Sequence, residues 1–121
     1  MQIEGYFNSR NEPVIRLDAG TSNIEILVDT GFNGNLIIPD RMVEGLNIEY
    51  DRGLEEFYSA TEEIFLASSG SIEIIWFGRR IRVPVATSAQ ISEAILGGQM
   101  MRDCRLTIDY SHRTVKISES Q

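Results

Sequence analysis

Asp29 is the acid whose neighbours prepare it for chemistry. It follows the apolar run 23–28 and precedes Thr30 and Gly31, and a short loop then leads to Leu36, Ile37 and Ile38, closed by Pro39. The first run has the length and β-branched content of a buried strand, so Asp29 sits where that strand leaves the core. A carboxylate there loses hydration at a cost of several kcal/mol unless donors come close. The Thr30 hydroxyl and the Gly31 backbone, which has no Cβ in the way, are such donors. Two readings stay open: an Asx turn in which Asp29 bonds the backbone two residues on, or an acid held ready for general acid–base work. Other candidates are weaker. Asp103 and Asp109 are followed by no glycine, and Cys104 and His112 are the sole cysteine and histidine. A thiol beside the apolar alternation 106–110 reads as packing rather than as a nucleophile. One His and one Cys make no metal set, so neither metal nor cofactor is expected.

Buried strand, Asp-Thr-Gly, short loop and second apolar run together resemble the active-site loop of aspartic peptidases. The chain resembles in particular the single-lobe, retroviral-type (retropepsin-like) branch. The second mark of that branch, two apolar residues and a glycine late in the chain, stands at Ile95, Leu96 and Gly97, followed by a short helix at 99–103 and a closing strand at 104–110. The resemblance covers roughly residues 23–117. It implies a mainly β fold: a single-lobe closed β-barrel-like structure with a psi-shaped active-site core and one or two short helices, residues 1–121 forming one domain. It implies that Asp29 is catalytic, that Thr30 bonds across a two-fold axis, and that Gly31 presents backbone near the substrate. Ile95, Leu96 and Gly97 would pack beneath the Asp loop. The hairpin 54–67 would be the flap, its tip residues Ser59, Ala60, Thr61 and Glu62 meeting substrate together with Phe32. From the residues alone, the hairpin reads equally as a plain meander and 95–97 as an ordinary strand end. Phe32 stands where the family loop usually has Ala or Ser.

One such loop is half a site. Peptide hydrolysis by this chemistry needs two carboxylates sharing one proton, one as base toward water and one as acid toward the carbonyl oxygen. The chain has 18 acidic residues, but Asp-Thr-Gly occurs once. A symmetric homodimer that sets Asp29 against its copy is the simplest completion, and retroviral-type peptidases are built this way. The leading expectation is therefore an aspartic endopeptidase acting on protein or peptide substrates as a homodimer. A noncatalytic peptide-binding or scaffolding β-barrel, and one half of a hetero-assembly, remain alternatives.

A length of 121 residues fits one modest core, and the net charge of −7 disfavours nucleic acid as a partner. Arg79, Arg80 and Arg82 cluster around a turn and read as a solvated hairpin. No apolar run is long enough to span a membrane, and the first residues carry no signal-peptide pattern. With a lone cysteine, a cytoplasmic setting is expected. Strands are expected at 3–7, 13–18, 23–28, 36–38, 47–50, 54–59, 64–67, 72–77, 81–85, 106–110 and 115–117. Asp40 is expected to cap a helix reaching Leu46. Turns are expected at 51–53 and 68–71, a polar loop at 88–93 and a tail from 118. Pro84 lacks an N–H, which places it at an edge or a bulge.

Overall fold

Period-two alternation organises most of the chain. In the computed structural model, which describes residues 1–58 and 63–120, it gives ten strands. They are β1 (Gln2–Phe7), β2 (Pro13–Ala19), β3 (Ser22–Val28), β4 (Leu36–Pro39), β5 (Glu49–Tyr58), β6 (Ile64–Trp76), β7 (Arg79–Ser88), β8 (Ile95–Leu96), β9 (Cys104–Asp109) and β10 (Thr114–Glu119). Their order in the sheet is β5-β6-β7-β4-β8-β3-β2-β1-β10-β9. A further contact, Ala19 of β2 opposite Ile74 of β6, closes the six strands from β6 to β2 into a barrel. Apolar residues of alternate positions fill it: Ile15 and Leu17, Ile24 and Ile26, Ile72 and Ile74, with Leu36, Ile38 and Leu96. Full burial of each such side chain contributes roughly 1.5–3 kcal/mol. No helix among the described residues is long and apolar enough to cross a membrane.

The two-residue strand β8 makes the psi-shaped centre. It lies between β3 and β4, parallel to the first (Leu27 opposite Ile95) and antiparallel to the second (Leu36 opposite Leu96). β3 and β4 diverge at this point, and the Asp29 loop spans the gap. Pro84 sits where its missing N–H is tolerated: β6 flanks β7 throughout, whereas β4 joins on the other side only from Val85.

Several local expectations give way to tertiary pairing. The helix expected over 40–46 is a single 3₁₀ turn, Asp40–Met42, with Pro39 at its N-cap and no side-chain cap bond from Asp40. Gly45 and Asn47, at φ 84° and 56°, take left-handed conformations that no helix continues. Residues 99–103 form successive turns closed by bonds three residues apart, such as Met100 N–H to the Gly97 carbonyl, instead of a helix. The turn expected at 51–53 is a bulge inside a continuous β5, the register slipping between Tyr50 and Leu54. Asp51 stitches it together: its Oδ1 accepts the Ser69 hydroxyl at 2.5 Å and the Gly53 N–H at 2.7 Å. Those two donors, the hydroxyl first, hold the Asp51 carboxyl below its ordinary pKa. Residues 68–71 likewise continue β6 because strands flank them on both sides, Gly70 facing Tyr50 and Val85. Ser118 and Glu119, expected in the tail, extend β10 opposite Arg105 and Cys104.

The β9–β10 turn yields a pH-dependent prediction. Asp109 accepts the N–H and hydroxyl of Ser111 and the N–H of His112, and its Oδ2 lies 2.8 Å from His112 Nδ1. The Ser111 hydroxyl, the His112 amide and the His112 ring, in that order, hold the carboxyl far below the usual range. A depressed folded-state pKa means stabilisation that is complete above the unfolded value of about 3.9 and fades as pH falls below it. Asp109→Asn is therefore expected to lower Tm at pH 7, with the gap to wild type narrowing below about pH 4. Thermal melts at both pH values check this, and a gap of constant size would overturn it.

Candidate active site

Asp29 is half-buried at the end of β3, and its backbone N–H donates to the Leu96 carbonyl of β8 at 3.0 Å. Its Oδ1 accepts the Gly31 N–H at 2.9 Å. The Asx turn is thus real, and it occupies one carboxylate oxygen; Oδ2 has no hydrogen-bond partner among the described residues. Gly31 and Thr30 are exposed, and the Thr30 hydroxyl has no bond within the described chain. The loop is clamped to the segment after β8 by three backbone bonds: Gly97 N–H to Asn35 O at 2.8 Å, Gly98 N–H to Phe32 O at 2.8 Å, and Gln99 N–H to Gly34 O at 3.1 Å. Such close approach needs a residue without a side chain. A Cβ on Gly97 would lie 2.2 Å from the Gly34 carbonyl oxygen.

Asp29 borders an apolar cleft of about 380 Å³, walled by Phe32, Ile37, Tyr58, Phe65, Ile91 and Ile95. No second carboxylate lines it among the described residues. Its outer wall is the β5–β6 hairpin; among the described residues, the strand-to-strand pairing of β6 with β7 ends at Ser68, and beyond it Glu55 to Tyr58 pair with Ile64 to Ala67. The inner face of the hairpin carries Phe57 opposite Phe65, ring centroids 5.7 Å apart, and Phe57 meets Phe32 edge-on at 5.3 Å. Leu66 ties the arm to the end of β7 and the loop after it: its carbonyl accepts the Ser88 hydroxyl, and its N–H donates to Gln90 Oε1. The structure thus brings together Asp29, Thr30, Gly31 and Phe32 with Ile95, Leu96 and Gly97. Ser59, Ala60, Thr61 and Glu62 lie outside the described residues.

Two other groups invite a chemical reading and do not sustain it. Ser111, His112 and Asp109 cluster on an exposed turn, but Ser111 Oγ, 3.2 Å away, faces the same Nδ1 that meets Asp109. A hydrolytic triad sets serine and acid on opposite ring nitrogens. Cys104 is half-buried, and burial first, then Asp103 and Glu119, push its thiol pKa up, away from thiolate.

No protein-family model matches the sequence, and no curated protein matches it. Solved structures do. A retropepsin-like aspartic protease from Rickettsia conorii superposes with a TM-score of 0.71 at 15% identity, over 98% of this chain and 91% of that one. The fold is retropepsin-like. EIAV protease, in its complex with the inhibitor HBY-793, superposes with a TM-score of 0.66 at 18% identity, over 80% of this chain and 91% of that one. Those identities carry the architecture and nothing finer. Within this retropepsin-like barrel, some cleft residues escape sequence reading. Ile91 falls in a stretch, 88–93, that looks polar, and being its one large apolar residue is the signal it offers. Phe57 and Phe65 show strand alternation, but only the hairpin register sets them on one face, and only the tertiary fold brings Phe57 against Phe32.

Proposed function

We propose that the protein is an aspartic endopeptidase whose site forms when two copies set their Asp29 loops together. The observation that carries this reading is the state of Asp29: a carboxylate fixed by one oxygen, bordering an apolar cleft that no second acid lines among the described residues. Two such carboxylates about 3 Å apart share one proton, because both cannot easily ionise. The ionised one takes a proton from water, and the hydroxide formed bonds to the peptide carbon. The protonated one gives its proton to the carbonyl oxygen. Collapse of the tetrahedral intermediate breaks the C–N bond as the amine nitrogen takes up a proton and the hydroxyl proton returns to a carboxylate. The apolar walls exclude water and strengthen these charge interactions. The hairpin with Phe57 and Phe65 on its inner face is the flap of this reading.

Hydrolysis of an unbiased peptide library across pH 3–8, with an Asp29→Asn control, tests the function. Cleavage that the control lacks supports it. Binding without cleavage would favour a noncatalytic peptide-binding barrel instead.

Thr30 supplies a test of the assembly. The residue is exposed next to Asp29, and in this reading its hydroxyl bonds across the two-fold axis. Such a bond contributes on the order of 1 kcal/mol per chain. Thr30→Ala is expected to raise the dimer dissociation constant roughly 10- to 100-fold with little change in circular dichroism. Sedimentation over a dilution series reads it. A monomeric wild type at high concentration would point to a different partner chain, and an unchanged constant in the mutant would remove Thr30 from the interface.

A further inference from the structure

Phe32 borders more of the groove than any catalytic role explains. Phe32 lines the cleft around Asp29, a second cavity of about 400 Å³ beside Asn33, Glu56 and Tyr58, and a third of about 170 Å³ beside Leu36, Glu55 and Pro84. We propose that Phe32 is the specificity-determining residue of the cleft, a fixed partition that limits the size of the side chain accepted next to Asp29. The proposal rests on the peptidase reading above.

A side chain partitions a groove only if it cannot swing aside, and this ring is held on three sides. A Cβ on Gly34 would lie 2.6 Å from its Cζ, and one on Gly97 2.6 Å from its Cδ2, so the ring lies flush against both backbones. Phe57 closes the third side with its edge-on contact. The backbone is pinned as well: the Phe32 N–H donates to the Asp29 carbonyl at 3.2 Å, and its own carbonyl accepts the Gly98 N–H at 2.8 Å. An incoming side chain meets a wall at this position. Truncating it joins the Asp29 cleft to the 400 Å³ cavity, since Phe32, Gly31 and Tyr58 are common to both. Differences of one or a few methylenes in an apolar pocket discriminate substrates by about 10- to 200-fold.

The experiment compares wild type, Phe32→Ala and Phe32→Leu on peptides that differ only in the residue before the cut bond: Ala, Leu, Phe or Trp. A second series replaces the cut bond by a reduced, uncleavable one and reads binding by calorimetry. The ratio of kcat/KM for Trp over Leu is expected to rise about tenfold in Phe32→Ala and by a smaller factor in Phe32→Leu. A uniform fall across the series, with the ranking kept, would mean that the ring only holds the hairpin in place, and would overturn the partition. If Phe32→Ala does not fold, the Phe32→Leu ratio decides: a shift toward Trp supports the proposal and an unchanged ratio overturns it. The two readings fail separately. Binding that re-ranks with Phe32 truncation, without cleavage by any variant, removes the peptidase and keeps the partition. Asp29-dependent cleavage with an unchanged ranking does the reverse. Neither binding nor cleavage of any peptide overturns both.

Discussion

Asp29→Asn is expected to lower kcat/KM for every cleaved peptide by at least ~100-fold, the lower end of what a positioned acid or base contributes. The substitution nearly conserves shape. The side-chain oxygen of the amide would still accept the Gly31 N–H that Asp29 now takes at 2.9 Å, so the turn and the clamp to β8 stay in place. What is lost is basicity: a neutral amide neither removes a proton from water nor holds one to donate. In a symmetric assembly one substitution removes both carboxylates, so no single acid remains to carry residual turnover. The wild type should show a bell-shaped pH profile, because one carboxylate must be ionised while the other is protonated, and its limbs belong to the pair. Kinetics on purified protein, with circular dichroism and sedimentation confirming fold and assembly, provide the check. A folded mutant retaining wild-type kcat/KM would show that Asp29 is neither acid nor base here.

The centre of this molecule is legible in its sequence because its signals are local and redundant. The β-branched run before Asp29, the glycine after Thr30, the Pro39 stop and the Ile95-Leu96-Gly97 triplet each constrain a few residues. The strands they imply are the ones that meet, with β8 between β3 and β4. Where local chemistry and tertiary pairing conflict, pairing wins. Asp51 and Gly53 carry turn chemistry, and the Asx bond forms, but Ser69 also reaches Asp51 and the chain continues as a bulged strand. Ser68 to Ser71 look like a loop and are instead the small residues that let β6 run between two neighbours. The Phe32, Phe57 and Phe65 cluster is beyond the reach of sequence for a different reason: it depends on the hairpin register and on how the hairpin folds back over the Asp loop.

Gly97→Ala is expected to destabilise the fold by about 3 kcal/mol or more, whereas Gly98→Ala next to it should change stability by less than ~1 kcal/mol. Neither glycine has a positive φ, so backbone strain does not separate them; space does. A Cβ on Gly97 would lie 2.2 Å from the Gly34 carbonyl oxygen, 2.6 Å from Phe32 Cδ2 and 2.7 Å from the Phe32 carbonyl oxygen. Two of those three atoms are backbone and cannot rotate away. The Asp29 loop would have to lift off β8, breaking the bonds at 2.8, 2.8 and 3.1 Å that now hold it there. Each is worth on the order of 1 kcal/mol net, and overpacking adds roughly 1–3 kcal/mol of strain. A Cβ on Gly98 meets nothing closer than the Phe32 carbonyl oxygen at 3.7 Å, an ordinary contact. For a chain of this size the first mutant should melt about 10 °C or more below wild type and the second close to it. Because Asp29 hangs from the same strand through its bond to Leu96, Gly97→Ala should also lose peptide hydrolysis at temperatures where it is still folded. Melting and turnover of the two mutants, measured side by side, decide the matter: equal Tm values would mean that the loop yields at Gly97, and that the clamp does not hold the site together.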